Sequence, residues 1–116
     1  LHIWGQNLNK SLIAQNNFYH SLDANIYDLA LLQEPHLDFR GLSRVERSFI
    51  PVYPKLHAAQ QKTTRSTIWV NTHIPSSNWQ AIQMASPDIT AVDLWGDFGT
   101  LRIVNLYIDC EHNEAL

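Results

Sequence analysis

Leu29-Ala30-Leu31-Leu32-Gln33-Glu34-Pro35 is the stretch on which the reading of this chain turns. From Tyr27 to Gln33 the run is almost continuously apolar, as in a strand covered on both faces. Glu34 then brings a carboxylate to the carboxyl end of that strand. Open α/β sheets hold ligands at such ends, and oxygen donors there suit a hard cation such as Mg²⁺. Pro35 lacks an N–H, so it closes the ladder and sends the chain into a loop. Judged alone, Glu34 also reads as a strand-end acid facing water, because charged residues are seldom buried unpaired.

Toward the amino terminus, Leu1 to Leu8 reads as a first strand, short and partly polar. Asn9 or Ser11 can cap the helix that follows, since their side chains accept from orphan amide groups. Leu12, Phe18, Tyr19 and Leu22 fall on one side of a helical projection, which predicts an amphipathic helix over 11–24, ended by Asp23-Ala24-Asn25. Strand, helix, strand in this order is the usual route to two parallel neighbours. That arrangement brings Asn7 and Glu34 to the same sheet edge, where an amide can orient a metal-bound water or a phosphate oxygen. The competing reading makes Asn7 a turn or cap residue.

Toward the carboxyl terminus a long basic loop contains Phe49-Ile50-Pro51-Val52-Tyr53 as a short strand, and Ser66 to Asn71 is a strand rich in Thr, Ile, Trp and Val. Ile89 to Trp95 and Thr100 to Ile108 alternate and flank Gly96-Asp97-Phe98-Gly99, which predicts a hairpin. Its second arm sets Leu101, Ile103, Asn105 and Tyr107 on one face. A tyrosine hydroxyl at such an edge can hydrogen-bond a phosphate, or Tyr107 can serve as a core aromatic. The fold class is therefore α/β with a mixed sheet. The sequence shows no internal repeat and no low-complexity segment.

Composition agrees. The 116 residues suffice for one small domain with one core. A hydrophobic share of 45% against 16% charged residues excludes a disordered chain. The single Cys110 excludes an internal disulfide or a multi-cysteine zinc knuckle and fits a reducing compartment. No apolar run reaches the roughly 20 residues that span a bilayer, and no charged-then-apolar leader stands at the start. Six histidines show no ligand spacing, Cys110-Glu111-His112 is too tight for a zinc motif, and His36 reads as a loop residue near Glu34. Because Leu1 opens inside a strand-like pattern and residues 111–116 look like the opening of a helix, a fragment of a longer domain is expected.

Charge is unevenly placed about the net −3. Residues 1–37 carry Lys10 against Asp23, Asp28 and Glu34, giving −2. Residues 38–65 carry six Arg and Lys against Asp38 and Glu46, giving +4, and residues 66–116 carry Arg102 against six acids, giving −5. A basic middle can seat a polyanion beside a metal site, or simply be a solvated loop.

Taken together, Gln6-Asn7-Leu8-Asn9-Lys10-Ser11, Leu31-Leu32-Gln33-Glu34-Pro35 and Ile103-Val104-Asn105-Leu106-Tyr107 resemble the endonuclease/exonuclease/phosphatase family. Within it they look most like the endonuclease domains of non-LTR (LINE-type) retrotransposons. The resemblance runs the length of the chain and covers about the amino-terminal half of such a domain. It implies a DNase I-like four-layer α/β sandwich, present over 1–116 as an amino-terminal part. It also implies Mg²⁺-dependent phosphodiester hydrolysis with Mn²⁺ as a substitute metal, and DNA as the partner. In the full-length parent it implies a neighbouring reverse transcriptase domain and a nuclear, intracellular setting. By the same resemblance Glu34 is a ligand of the catalytic metal, Asn7 lines that site and serves catalysis, and Tyr107 positions the scissile phosphate.

The sequence also departs from the family. The Gly-Asp-x-Asn motif that stabilises the leaving group and the Ser-Asp-His motif that holds the general base are both missing from the 116 residues. Gly96-Asp97-Phe98-Gly99 does not replace the first, because it precedes the Tyr strand. Ile108 stands where the family often has Asn or another small polar residue. Two other readings follow: another DNase I-like phosphodiesterase or phosphatase, such as an abasic-site endonuclease, or a degenerate non-catalytic remnant. Leu8-Asn9-Lys10-Ser11 and His36 fit abasic-site enzymes less well, since these tend to carry a Gly-rich segment after the first Asn and a Lys after the Glu loop.

Overall fold

A computed structural model describes residues 1–35, 48–54, 64–84 and 86–108. The chain opens with β1 (Ile3–Asn7), α1 (Leu12–Ser21) and β2 (Leu29–Gln33), followed by β3 (Phe49–Val52) and β4 (Ser66–Asn71). A 3-10 turn at Ser76–Asn78 leads into β5 (Trp79–Ile82), β6 (Ile89–Gly96) and β7 (Gly99–Leu106). The first sheet has the order β1-β2-β4-β3 and the second β5-β6-β7. Only β1 and β2 are parallel, joined through α1, and Asn7 pairs with Gln33. The sheet is mixed, as the sequence predicts.

The alternation of β2 explains the three layers formed by the described residues. Ala30 and Leu32 join Leu8, Phe18, Leu22, Phe49 and Trp69 in a core between the first sheet and α1. Leu29 and Leu31 face the other way, toward Val52, Ile68, Val70, Val92 and Leu94 between the two sheets. A strand with successive side chains in opposite cores must be apolar throughout. The same rule buries all of β4. Phe18 stacks edge-on against Trp69 at 5.1 Å and Trp4 at 5.8 Å, which locks the helix to its sheet.

Three details depart from the sequence reading. The helix is shorter than 11–24: Ser11 caps it, its hydroxyl accepting the Ala14 N–H at 3.1 Å, and the chain is already extended at Leu22. Its buried residues are Gln15 and Phe18, with Leu22 buried just beyond its end, while Leu12 is 53% exposed. Strand β2 starts at Leu29 because the Asp23 carbonyl accepts from both Ile26 and Tyr27 and holds those residues in a turn. Strand β5 has no counterpart in the reading above, since Trp79-Gln80-Ala81-Ile82 is too short to show a period. Pro51 sits in β3, an edge strand, where its missing N–H costs no ladder bond to a second neighbour.

The end of the molecule away from Glu34 is tied by side chains. The Asp28 carboxylate accepts the His2 N–H and the His73 Nε2–H, each at 2.8 Å. The Asn71 amide donates to the Ala24 and Tyr27 carbonyls at 2.9 Å. Burial pushes the Asp28 carboxyl up, but the His2 and His73 donors outweigh it and hold it below its ordinary value. A carboxylate depressed in the folded state stabilises the fold above its unfolded pKa and loses that contribution as pH falls through the folded value. The stability gap between wild type and Asp28→Asn should therefore be full near neutrality and close below about pH 4, the unfolded carboxylate value. Urea midpoints measured across that range check it. A gap that persists unchanged at low pH would contradict the role given to ionised Asp28.

Candidate functional site

At the opposite end, β1 and β2 finish side by side. The three non-glycine residues with positive φ among those described lie here together: Asn9 (53°), Lys10 (57°) and Glu34 (50°). Left-handed backbone is costly for a residue with a Cβ, and such residues collect where surrounding contacts force a functional geometry. The forcing contacts are visible. The Lys10 N–H donates to the Glu34 carbonyl and the Glu34 N–H to the Arg65 carbonyl, both at 2.8 Å. Glu34 is thus turned out of the strand with its backbone fixed on both sides.

Tyr107 arrives from the other sheet. Its hydroxyl donates to Glu34 Oε1 at 2.6 Å, joining residues 73 positions apart. Behind this contact runs a buried polar seam. The Asn105 amide donates to the carbonyls of Leu32 (2.8 Å) and Thr67 (2.9 Å), and its oxygen accepts from Gln33 Nε2 at 2.5 Å. Ser66 Oγ donates its single proton to the Asn105 carbonyl at 2.9 Å, so the Thr90 hydroxyl must be the donor in the 2.6 Å Ser66–Thr90 bond. Asn105, Ser66 and Thr90 are all buried. The seam bolts the carboxyl end of β2 to that of β7 and so sets the relative position of Glu34 and Tyr107.

Asn7 stands at the same edge and is exposed. Its Oδ1 accepts the Asn9 N–H at 2.8 Å, which is the turn role, and this side-chain turn supports the left-handed Asn9 and Lys10. The structure brings Glu34 and Tyr107 into direct contact and places Asn7 beside them through the strand register. His36 and most of the basic segment lie outside the described residues.

Sequence reasoning quoted Gln33 and Asn105 within its motifs but gave them no role, and it gave none to Arg65 or Asp88. Arg65 and Asp88 form a two-point ion pair, Nε–Oδ1 at 2.7 Å and Nη2–Oδ2 at 3.2 Å, and the guanidinium lies 5.3 Å from the centre of the Tyr107 ring. Gln33 and Asn105 carried one available signal: polar side chains inside otherwise apolar strands.

The oxygens of Glu34 and Asn7 are hard donors, suited to Mg²⁺ rather than to a soft metal. Glu34 is half-buried and its Oε2 has no hydrogen-bond partner among the described residues, so a carboxylate oxygen remains available to a cation. No cluster of three His, Cys, Asp or Glu side chains occurs among the described residues. Mg²⁺ commonly binds through one or two carboxylates and keeps its waters, so one carboxylate matches part of such a site. A cavity of about 290 Å³ lies at the other end, against Asp28, Ile74, Leu94, Trp95 and Phe98. Its carboxylate is already engaged by His2 and His73.

Helix, mixed sheet and antiparallel sheet are layered in this order, in keeping with part of a DNase I-like α/β fold. Among solved structures the chain is similar to the endonuclease domain of TRAS1, a telomere-specific non-LTR retrotransposon, with a TM-score of 0.64 and 18% identity over 92% of this chain. The alignment covers 44% of that solved chain, so this sequence spans less than half its length. No family model and no curated protein matches the sequence. The mixed α/β fold expected of an amino-terminal part is observed, as three layers among the described residues. No helix among the described residues is long and apolar enough to cross a membrane.

Proposed function

We propose that this chain is part of a Mg²⁺-dependent DNA-nicking endonuclease domain of the non-LTR retrotransposon kind, acting in the nucleus beside a reverse transcriptase. The observation that carries the reading is the 2.6 Å bond from the Tyr107 hydroxyl to Glu34 Oε1 across two sheets. It joins the two motifs whose order suggested a phosphodiesterase, and the similarity to a retrotransposon endonuclease domain gives the reading its substrate.

In this reading Glu34, with Asn7 beside it, holds the metal. A divalent cation there supplies charge stabilisation at a phosphate and its leaving oxygen. The Tyr107 hydroxyl, whose single proton Glu34 Oε1 accepts, turns that proton to a phosphate oxygen when substrate arrives and the Glu34 carboxylate takes the cation. The left-handed turn at Asn9 and Lys10 keeps the loop after β1 tight against the Glu34 backbone. None of these residues is a general base, and neither Gly-Asp-x-Asn nor Ser-Asp-His occurs in the 116 residues.

The chain by itself should therefore nick supercoiled plasmid in Mg²⁺ no faster than a Glu34→Ala control. The same chain extended to carry both missing motifs should relax plasmid efficiently and lose that activity in Glu34→Ala. Efficient nicking by the 116 residues alone, abolished in Glu34→Ala, would overturn the claim of inactivity. An extended domain indifferent to Glu34 would overturn the site.

A further inference from the structure

We propose that Arg65 and Asp88 are positioning residues of this site: their ion pair holds the Tyr107 ring and thereby fixes its hydroxyl on Glu34. The functional weight of this rests on the reading of Glu34 and Tyr107 above; the geometry does not.

Arg65 and Asp88 between them touch both working residues by backbone and side chain. The Arg65 carbonyl accepts the Glu34 N–H at 2.8 Å, and the Asp88 carbonyl accepts the Tyr107 N–H at 2.9 Å. The Arg65 N–H donates to the Pro87 carbonyl at 2.9 Å, which fastens the start of β4 to the start of β6. On these anchors the guanidinium reaches Asp88 with two nitrogens and lies over the Tyr107 ring. Glu34, Arg65, Asp88 and Tyr107 thus form a closed circuit, each bonded to or stacked on the next, spanning the first and second sheets.

The chemistry requires arginine. A planar guanidinium can present two parallel donors to a carboxylate and one face to an aromatic ring at once; an ammonium cannot. The pair is also more enclosed than an ordinary surface bridge, with side chains 29% and 20% exposed. An exposed pair contributes about 0–1 kcal/mol and restrains little. This one is placed where restraint has a consequence: the phenol ring can pivot about its own strand unless something holds its face. The Asn105 seam fixes the backbone of β7, and the guanidinium fixes the ring that extends beyond it.

The test reads the Tyr107 hydroxyl proton by NMR in the unmodified chain, identified by its disappearance in Tyr107→Phe. The buried Asn105 side-chain amide protons report the integrity of the fold. In Asp88→Asn and in Arg65→Lys, the hydroxyl proton is expected to exchange at least about tenfold faster or vanish, while the Asn105 protons stay protected. If Asp88→Asn also loses Asn105 protection, Arg65→Lys decides, because it keeps the charge and removes only the planar fork. A hydroxyl resonance unchanged in position and exchange rate in Arg65→Lys overturns the proposal. Neither metal nor DNA enters the measurement, so its failure is separable from failure of the nuclease reading.

Discussion

Asn105→Ala is expected to lower the free energy of unfolding by roughly 2–4 kcal/mol, one of the two largest effects foreseen here. Asn105 is 1% exposed and uses all the hydrogen-bonding capacity of its amide group except one lone pair. Its removal strands the Gln33 amide and takes one bond each from the Leu32 and Thr67 carbonyls. An unsatisfied buried group costs about 1–3 kcal/mol, and the small void left behind adds to that. Gln33 is half-buried and can turn to water, which keeps the total below the sum of three separate penalties. Urea unfolding with an unchanged slope measures the effect directly. A loss under about 1 kcal/mol would show that ordered water replaces the amide. Asn105→Leu, which keeps the volume but none of the bonds, should be no better than alanine.

The second large effect concerns Glu34, where metal binding and backbone strain can be separated by one pair of variants. Glu34→Ala and Glu34→Gly should each abolish Mn²⁺ binding followed by electron paramagnetic resonance, a loss beyond the roughly 10–100-fold caused by disturbing a ligand's supporting shell. They should differ in stability. Residue 34 has φ of 50°, which alanine adopts at a cost and glycine does not. Both variants lose the Tyr107 bond, so that term cancels, and Glu34→Gly should unfold at higher urea, by about 1 kcal/mol. Retained Mn²⁺ affinity in Glu34→Ala would remove Glu34 from the metal site. Equal stability of the two variants would mean that the left-handed backbone relaxes once the side chain is gone.

Much of the fold was legible because local patterns coincide with global needs. The apolar run ending in Gln33 could only be a strand with cores on both sides, and Ala30 with Leu32 against Leu29 with Leu31 fill those two cores. The hairpin was legible from its glycines. Gly99, at φ 102°, occupies a conformation that other residues adopt only under strain. Strand β4 was legible from its β-branched and aromatic residues Thr67, Ile68, Trp69 and Val70. The carboxyl boundary of the helix was not, because Leu22 continues the apolar spacing although the chain is already extended there.

The candidate site divides along the same line. Glu34, Asn7 and Tyr107 could be picked out in the sequence because a carboxylate before proline, a polar residue at the end of a short strand, and a tyrosine late in a hairpin arm are each local signals. Their proximity was not local information. Glu34 and Tyr107 are 73 positions apart, and only the packing of one sheet on the other decides that a phenol on β7's extension meets a carboxylate at the end of β2. Arg65 looked like one cation in a basic stretch, and Asp88 like one acid in an acidic half. Neither carries any mark in its own neighbourhood of the sequence, since what distinguishes them is a partner on a different strand. The sequence by itself determined most of the strands, the faces they bury and which side chains have the right chemistry, because these depend on residue type and spacing. The tertiary structure alone decided which of those side chains meet, because hydrogen bonds act over about 3 Å while the groups they join are separated by most of the chain.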